Sequence, residues 1–252
     1  MNSTLNLLQI TDCHLQQYPD QAYKNHYPDQ RLDAVIAHVQ ATQSHSQHLL
    51  LSGDIAHYSS SAVYQRILDK TQSLAEQIHW LPGNHDDAQV MYEFVHMQRK
   101  IIINGDWAIV LLDSTANPDG VGSGSLSDEE LSLLAKLGSL DVSHILIVLH
   151  HPPINVGSLW QDAIKLANSD EFWVRVKKLS KVRAISFGHL HQEHHLTEFG
   201  IELFCTPATA PQFKKEQLTP VLESDPILAA PAYRTLQLHA DGSINSQVHR
   251  VL

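Results

Sequence analysis

A short apolar run followed at once by a cluster of Asp, Asn or His recurs along this chain. That grammar restricts the fold more than any bulk property does. Leu5 to Ile10 leads into Asp12-Cys13-His14, and Leu49-Leu50-Leu51 into Gly53-Asp54. Trp80-Leu81-Pro82 leads into Gly83-Asn84-His85-Asp86, the run from His144 ends on His150-His151, and Lys181 to Phe187 delivers Gly188-His189-Leu190-His191. Runs this short and apolar read as buried strands. Ligand-type residues at several strand ends place those ends at one edge of the fold, where open α/β sheets put their sites.

Between the runs the period changes. Arg31 to Gln43 carries Leu32, Val35, Ile36 and Val39 at helical spacing. Ser61 to Gln77, Gln89 to Met97 and Glu171 to Leu179 also read as helices, and Ser127 with Glu130 forms a capping box. Strands are expected at His48 to Ser52, Ile78 to Leu81, Lys100 to Ile103 and Trp107 to Asp113, the last two joined by Asn104-Gly105, a hairpin signal. After Phe187 the chain is mostly strands: His195 to Glu198, Ile201 to Cys205, Ala232 to His239 and Ser243 to Val251. Alternation first and strands last predict an α/β fold of two packed mixed sheets flanked by helices. Residues 206–230, with Pro207, Pro211, Pro220 and Pro226, are expected to be an irregular cap or loop at the site mouth.

At 252 residues, 43% hydrophobic and 17% charged, the chain suits one globular domain spanning residues 1–252. A formal net charge of -10 argues against a nucleic-acid polymer as partner, since neutralising a phosphate backbone needs a basic surface. It leaves small phosphate esters open, because bound cations dominate the local field. The two cysteines, Cys13 and Cys205, have neither zinc-finger nor disulfide-framework spacing. The first residues lack a basic segment followed by an apolar core, and no run is long enough to span a bilayer. No membrane association is expected, and the expected compartment is the cytoplasm. Of the 18 His, those outside the clusters, such as His38, His45, His48, His96, His239 and His249, read as solvated surface or strand-edge positions.

Oxygen and nitrogen donors in this mixture are what a two-metal hydrolytic site needs. Asp12 and His14 are two residues apart, so in extended backbone both face one side while Cys13 faces the core. Asp54 has two carboxylate oxygens and can bridge two cations, and Gly53 lets the chain turn sharply beside it. Asn84 offers a neutral oxygen. His85, unable to share that metal easily, can face the substrate as hydrogen-bond donor or general acid. Asp86 is placed to orient His85, and Asp86 or Asp87 to cap a helix. Only one of His150 and His151 can point with the site-facing series. His150 is the expected ligand and His151 a supporting or core residue. His189 and His191 can reach two different metals or share one. Taken singly, several of these clusters are ordinary turn residues; the ordered set is what points to a site.

In that order the clusters resemble the five blocks of the calcineurin-like metallophosphoesterases, over nearly the whole chain. The resemblance implies a four-layer α/β-β/α sandwich and a dinuclear centre. It implies that Asp12, His14, Asp54 and His191 hold one metal, and Asp54, Asn84, His150 and His189 the other. Substrate contacts are expected from His14, Asn84, His85 and His191, with His85 and Asn84 catalytic. Leu7-Leu8-Gln9-Ile10-Thr11-Asp12, Leu81 to Asp86, Leu111-Leu112-Asp113-Ser114, Thr206-Pro207-Ala208-Thr209 with Gln212-Phe213-Lys214, and Tyr233-Arg234-Thr235-Leu236 through Gly242 are similar to the bacterial class III cyclic-nucleotide phosphodiesterases. That implies iron and manganese as the metals, with Mn, Co or Zn able to substitute, and relatives that include homodimers. The serine/threonine phosphatases of the superfamily continue their second block with Val-Asp-Arg-Gly and their third with Glu. Here Ile55-Ala56-His57-Tyr58 and Asp86 stand instead, which argues against a phosphoprotein substrate.

The expected activity is hydrolysis of 3′,5′-cyclic AMP to 5′-AMP, with a metal-bridging hydroxide as nucleophile. The alternatives are a phosphodiesterase or phosphomonoesterase of another small substrate, such as a glycerophosphodiester or nucleotide, and a non-catalytic binding protein on the same fold. Residues 18–27 and 206–213 are the expected specificity loops, and Tyr18, Tyr23 or His26 can stack on a base.

Overall fold

The computed structural model describes residues 4–43 and 46–252. His45 lies outside them. Eleven strands and six α-helices follow in the order β1 (Leu5–Ile10), α1 (Pro28–Thr42), β2 (Ser46–Ser52), α2 (Ser61–Thr71), β3 (Ala75–Leu81), α3 (Ala88–Tyr92), β4 (Ile101–Asn104), β5 (Trp107–Leu111), α4 (Asp128–Lys136), β6 (His144–Val148), α5 (Leu159–Asp162), α6 (Ser169–Val176), β7 (Val182–Phe187), β8 (His194–Glu198), β9 (Ile201–Cys205), β10 (Ala232–Leu238) and β11 (Ile244–Arg250).

They form the two mixed sheets expected. One has the order β11-β10-β1-β2-β3 and the other β4-β5-β6-β7-β9-β8. In the first, β1, β2 and β3 run parallel, and in the second β5, β6, β7 and β9, so within each sheet these strands finish at the same edge. Strand alternation then sorts the apolar side chains into three cores. Leu8, Ile10, Leu49 and Leu51 face outward onto Leu32, Val35, Tyr64 and Ile67 of α1 and α2. Val110, Ile145, Ile147 and Ile185 face Leu131, Leu134, Phe172 and Val176 of α4 and α6. Leu7, Leu50, Ile109, Leu146, Val148, Phe204 and Leu236 meet between the sheets. Truncating one of the last group, such as Leu146→Ala, is expected to cost about 2–5 kcal/mol by denaturant unfolding.

A buried polar tie crosses that inner layer. Gln9 of β1 donates to Ser52 Oγ of β2 at 2.8 Å, and its Oε1 accepts from Ser186 of β7 at 2.6 Å and from Thr206 at 2.7 Å. It fixes one sheet against the other directly beneath the strand ends.

Several boundaries differ from the periodic reading. Helix α1 starts at Pro28, whose fixed φ suits a first helical position, so Pro28 opens the helix three residues before Arg31. Helix α2 stops at Thr71, because residues from Ala75 onward are taken by pairing with β2 along the whole of β3. The segment read as one helix from Gln89 to Met97 splits into α3 and a 3₁₀ turn at Val95–Met97. His48 is not a surface residue. It is buried between the sheets, 3.0 Å from His79. Among the described residues no helix is long and apolar enough to cross a membrane.

Candidate metal centre

The five strand-end clusters converge. Asp12, His14 and His191 bring donor atoms together in one group, and Asp54, His150 and His189 in a second. In the first, His14 Nε2 lies 3.0 Å from His191 Nε2, and His191 Nε2 lies 3.4 Å from Asp12 Oδ1. In the second, His150 Nε2 is 3.4 Å from Asp54 Oδ1 and 3.2 Å from His189 Nδ1. Asp54 joins the two groups, since its other oxygen is 3.6 Å from His14 Nε2. All six side chains are buried.

The backbone reaches this arrangement by a route that strand alternation does not foresee. Asp12 (φ 52°), His14 (φ 49°), Asp54 (φ 49°), His189 (φ 69°) and His191 (φ 50°) are left-handed, not extended. Each strand ends in a sharp turn, and loop-to-loop hydrogen bonds hold it. Asp12 N donates to Gly53 O at 3.0 Å, His14 N to Asp54 O at 2.9 Å, and His189 N to Asp12 Oδ2 at 3.0 Å. Strain of this kind persists where surrounding contacts over-determine it. Gly83 shows how tight the fit is: a Cβ there would lie 2.2 Å from Asp54 Oδ1 and 2.8 Å from His150 Nε2.

Do these residues fit divalent cations? His191 Nδ1 sits 2.6 Å from Pro211 O, and His150 Nδ1 2.9 Å from Ser52 O. A carbonyl only accepts, so Nδ1 carries a proton and Nε2 is the nitrogen left to face the other donors, the arrangement that supporting partners impose on ligating imidazoles. Asn84 Oδ1 is buried with no partner, and His14 Nε2 and His189 Nδ1 turn toward the nitrogens of His191 and His150. Convergent lone pairs with no donor to satisfy them suit a cation.

The electrostatics agree. Burial opposes ionisation of Asp54, but His150, His14 and His85 outweigh it and hold the carboxyl well below its usual range. Burial holds His14 and His189 well below an ordinary imidazole, so both are neutral donors. Burial would also lower His150, yet Asp54 beside it raises it to about 9. A cation would displace that proton.

His85 stands at the mouth. Its backbone N donates to Asp54 Oδ1 at 2.9 Å, while its exposed ring lies 4.9 Å from the ring of His14. Asp86 does not orient that ring. Its carboxylate accepts from the backbone N–H groups of Gly83, Ile55 and Ala56 and from Tyr64, clamping the Asp54 and Asn84 loops together. Burial, then Asp54, raises it to about 7. The cap of α3 is Asp87. His151 is a buried support, 2.8 Å from Ser114 Oγ and 3.1 Å from Gly122 O, and burial followed by His150 lowers it to about 3. Cys13 points into the core, where burial pushes its thiol up to about 12.

One residue escapes the motif reading. His57, exposed, has its ring 4.8 Å from His85 and 5.8 Å from His14. The only signal was its place three residues beyond Asp54, in the stretch noted for what it lacks. Of the Pro-rich segment, Thr209 N donates to Thr11 O, Ala210 N to Asp12 O and Phe213 N to His191 O, so residues 209–213 wall the site.

The sequence profile described as calcineurin-like phosphoesterase matches residues 5–193. The chain is 35% identical to 3′,5′-cyclic adenosine monophosphate phosphodiesterase CpdA of Vibrio vulnificus, over 99% of this chain and 91% of that protein. It is 34% identical to the CpdA of Escherichia coli, over 98% and 90%. Among solved structures, a dimetal phosphatase from Danio rerio aligns with a TM-score of 0.62 at 13% identity, covering 98% of this chain and 99% of that one. A purple acid phosphatase from yellow lupin aligns at 0.71 and 12%, covering all of this chain (100%) and 52% of that one. At such identities the structures speak for the fold alone.

Proposed function

The chain belongs to the calcineurin-like phosphoesterase family, and from that premise we propose that it is a metal-dependent phosphodiesterase hydrolysing 3′,5′-cyclic AMP to 5′-AMP. The observation that carries the reading is Asp54. Its two oxygens face two separate His-rich donor groups, 3.4 Å from His150 and 3.6 Å from His14. The substrate assignment is supported by the cyclic AMP phosphodiesterases that align along nearly the whole chain.

In this reading Asp12, His14, Asp54 and His191 hold one cation, and Asp54, Asn84, His150 and His189 the other. Two such cations supply Lewis acidity and lower the pKa of a water so that it attacks near neutral pH. Nitrogen and oxygen donors accept Mn, Fe, Co or Zn; iron with manganese is the pair we assign, to be read by elemental analysis. The left-handed turns at Asp12, His14, Asp54, His189 and His191 hold the donors in place before substrate arrives. Asn84, His14 and His191 are assigned to contact the phosphate. His85 faces it from the mouth, where its ring donates to a phosphate oxygen or protonates the departing 3′ oxygen. Water adds to phosphorus, the bond to O3′ breaks, and O3′ takes the proton, leaving 5′-AMP.

The test is hydrolysis of 3′,5′-cyclic AMP by protein loaded with Mn²⁺ or Fe²⁺, beside bis(p-nitrophenyl) phosphate. Turnover of both, with 5′-AMP as product, is expected. Cleavage of the generic diester alone would overturn the substrate and leave the dinuclear chemistry.

A further inference from the structure

We propose that Tyr23, Lys24 and Phe213 form a clamp at the mouth that takes the purine base of a nucleotide; this rests on the nucleotide reading above. Three observations carry it. First, the rings of Tyr23 and Phe213 are fixed against the two imidazoles that face each other in the first donor group. Tyr23 stacks on His14 at 4.8 Å and 13°, and Phe213 lies 5.1 Å from His191. Second, the Lys24 ammonium sits 5.2 Å from the centre of the Tyr23 ring and 5.5 Å from that of Phe213, so the two loops meet at one cation. Among the described residues Lys24 is in no ion pair, whereas Lys70 and Lys100 each pair with a carboxylate.

Third, the chain is bent to put it there. Tyr23 N donates to His26 O at 2.7 Å and His26 N to Tyr23 O at 3.0 Å, which closes a two-residue turn. Both central residues, Lys24 (φ 47°) and Asn25 (φ 64°), are left-handed, the type I′ pattern that Gly and Asn ordinarily fill. A lysine in that turn stands exposed, with its ammonium near both rings.

The chemistry of the pair of loops matches a purine. Tyr23 and Phe213 are each half-buried, so a flat heteroaromatic packs against the parts of the two rings that reach the mouth, and its ring nitrogens accept from the ammonium. The phosphate of the same nucleotide then reaches the donors beneath, because Tyr23 and Phe213 each touch one of the imidazoles assigned to the first cation. A glycerophosphodiester offers the phosphate without the flat acceptor. Of the other two candidates for base stacking, Tyr18 is 56% exposed, and among the described residues neither it nor His26 pairs with a ring of the site.

The test compares 5′-AMP with ribose 5-phosphate, which keeps the phosphate and sugar and lacks the base. Titration calorimetry on the metal-loaded protein is expected to give 5′-AMP the tighter Kd, by about tenfold or more from stacking and the cation together. In a Lys24→Met/Tyr23→Leu double variant the ratio should fall toward one while ribose 5-phosphate still binds. A second variant, Phe213→Leu, approaches the clamp from the other loop and should lower the ratio too. A ratio near one in the wild type, or one unchanged in both variants, overturns the clamp; so does equal loss of both ligands. A preserved ratio in a protein that turns over no cyclic nucleotide would sink the reaction assigned above and leave the clamp standing.

Discussion

The floor of the site and its rim are made from the same strand-end loops but by opposite means. On the floor Asp12, His14, Asp54, His150, His189 and His191 are buried, and most are held in left-handed backbone by hydrogen bonds between loops. On the rim His57, His85 and Lys24 are exposed, and aromatic contacts are their main neighbours. A floor built from both sheets has little freedom to change without losing its donors. A rim of exposed side chains can change its residues while the chemistry below persists. The floor therefore speaks for reaction class and the rim for substrate.

That contrast breaks first at Asp54. Asp54→Ala removes the carboxylate shared by both donor groups, so activity should vanish and metal content should fall from two per chain toward one by elemental analysis. Two cations retained would mean that the groups do not share it. His85→Ala touches the rim only. It should keep both cations and lower kcat by about 10²–10⁴, the span of a lost acid or base. Unchanged turnover would remove His85 from the chemistry.

Gly83→Ala is a floor change made without touching a donor. Its Cβ would crowd Asp54 Oδ1 and His150 Nε2, and metal affinity measured against a chelator is expected to weaken about 10–100-fold, as when a ligand's support is lost. Full affinity would show that the floor yields.

The smallest effect lies away from the site. Burial lowers His48, and burial followed by His48 lowers His79, to about 4. A His whose folded pKa is depressed favours the unfolded chain once that chain takes up protons. Stability by urea unfolding should therefore decline as pH falls from about 6.5 to about 4. His14 and His189 act with the same sign, so the contribution of the pair is read as a shallower decline in His79→Gln. An identical slope would show that the pair does not titrate with folding.

The convergence of the floor residues was legible because strands that end at one edge bring distant clusters together. The two mixed sheets followed from strands that alternate with helices first and crowd together last. The backbone route was not legible. Alternation suggested extended geometry at Asp12 and His14, whereas the chain needs αL turns there to leave the strand and stay within reach of Gly53 and Asp54. Asp86 was misjudged for a related reason. A neighbour in sequence is not a neighbour of the ring, and its carboxylate instead gathers N–H groups from two loops. His48 was missed because a polar residue on a strand carries no mark of which partner will bury it; that depends on His79 one strand away. His57 and Lys24 had no spacing rule, since rim residues are recruited by loop shape.

Gln9, which accepts from Ser186 of one sheet while donating to Ser52 of the other, has a consequence for time as well as shape. This tie opposes any parting of the two donor-bearing sheets from below. On the metal-bound reading, a cation would then enter and leave through the mouth, past Tyr23 and Phe213. Exchange of bound metal should then keep pace with the opening of those two loops and be far faster than global unfolding. In Gln9→Leu the two clocks should draw together.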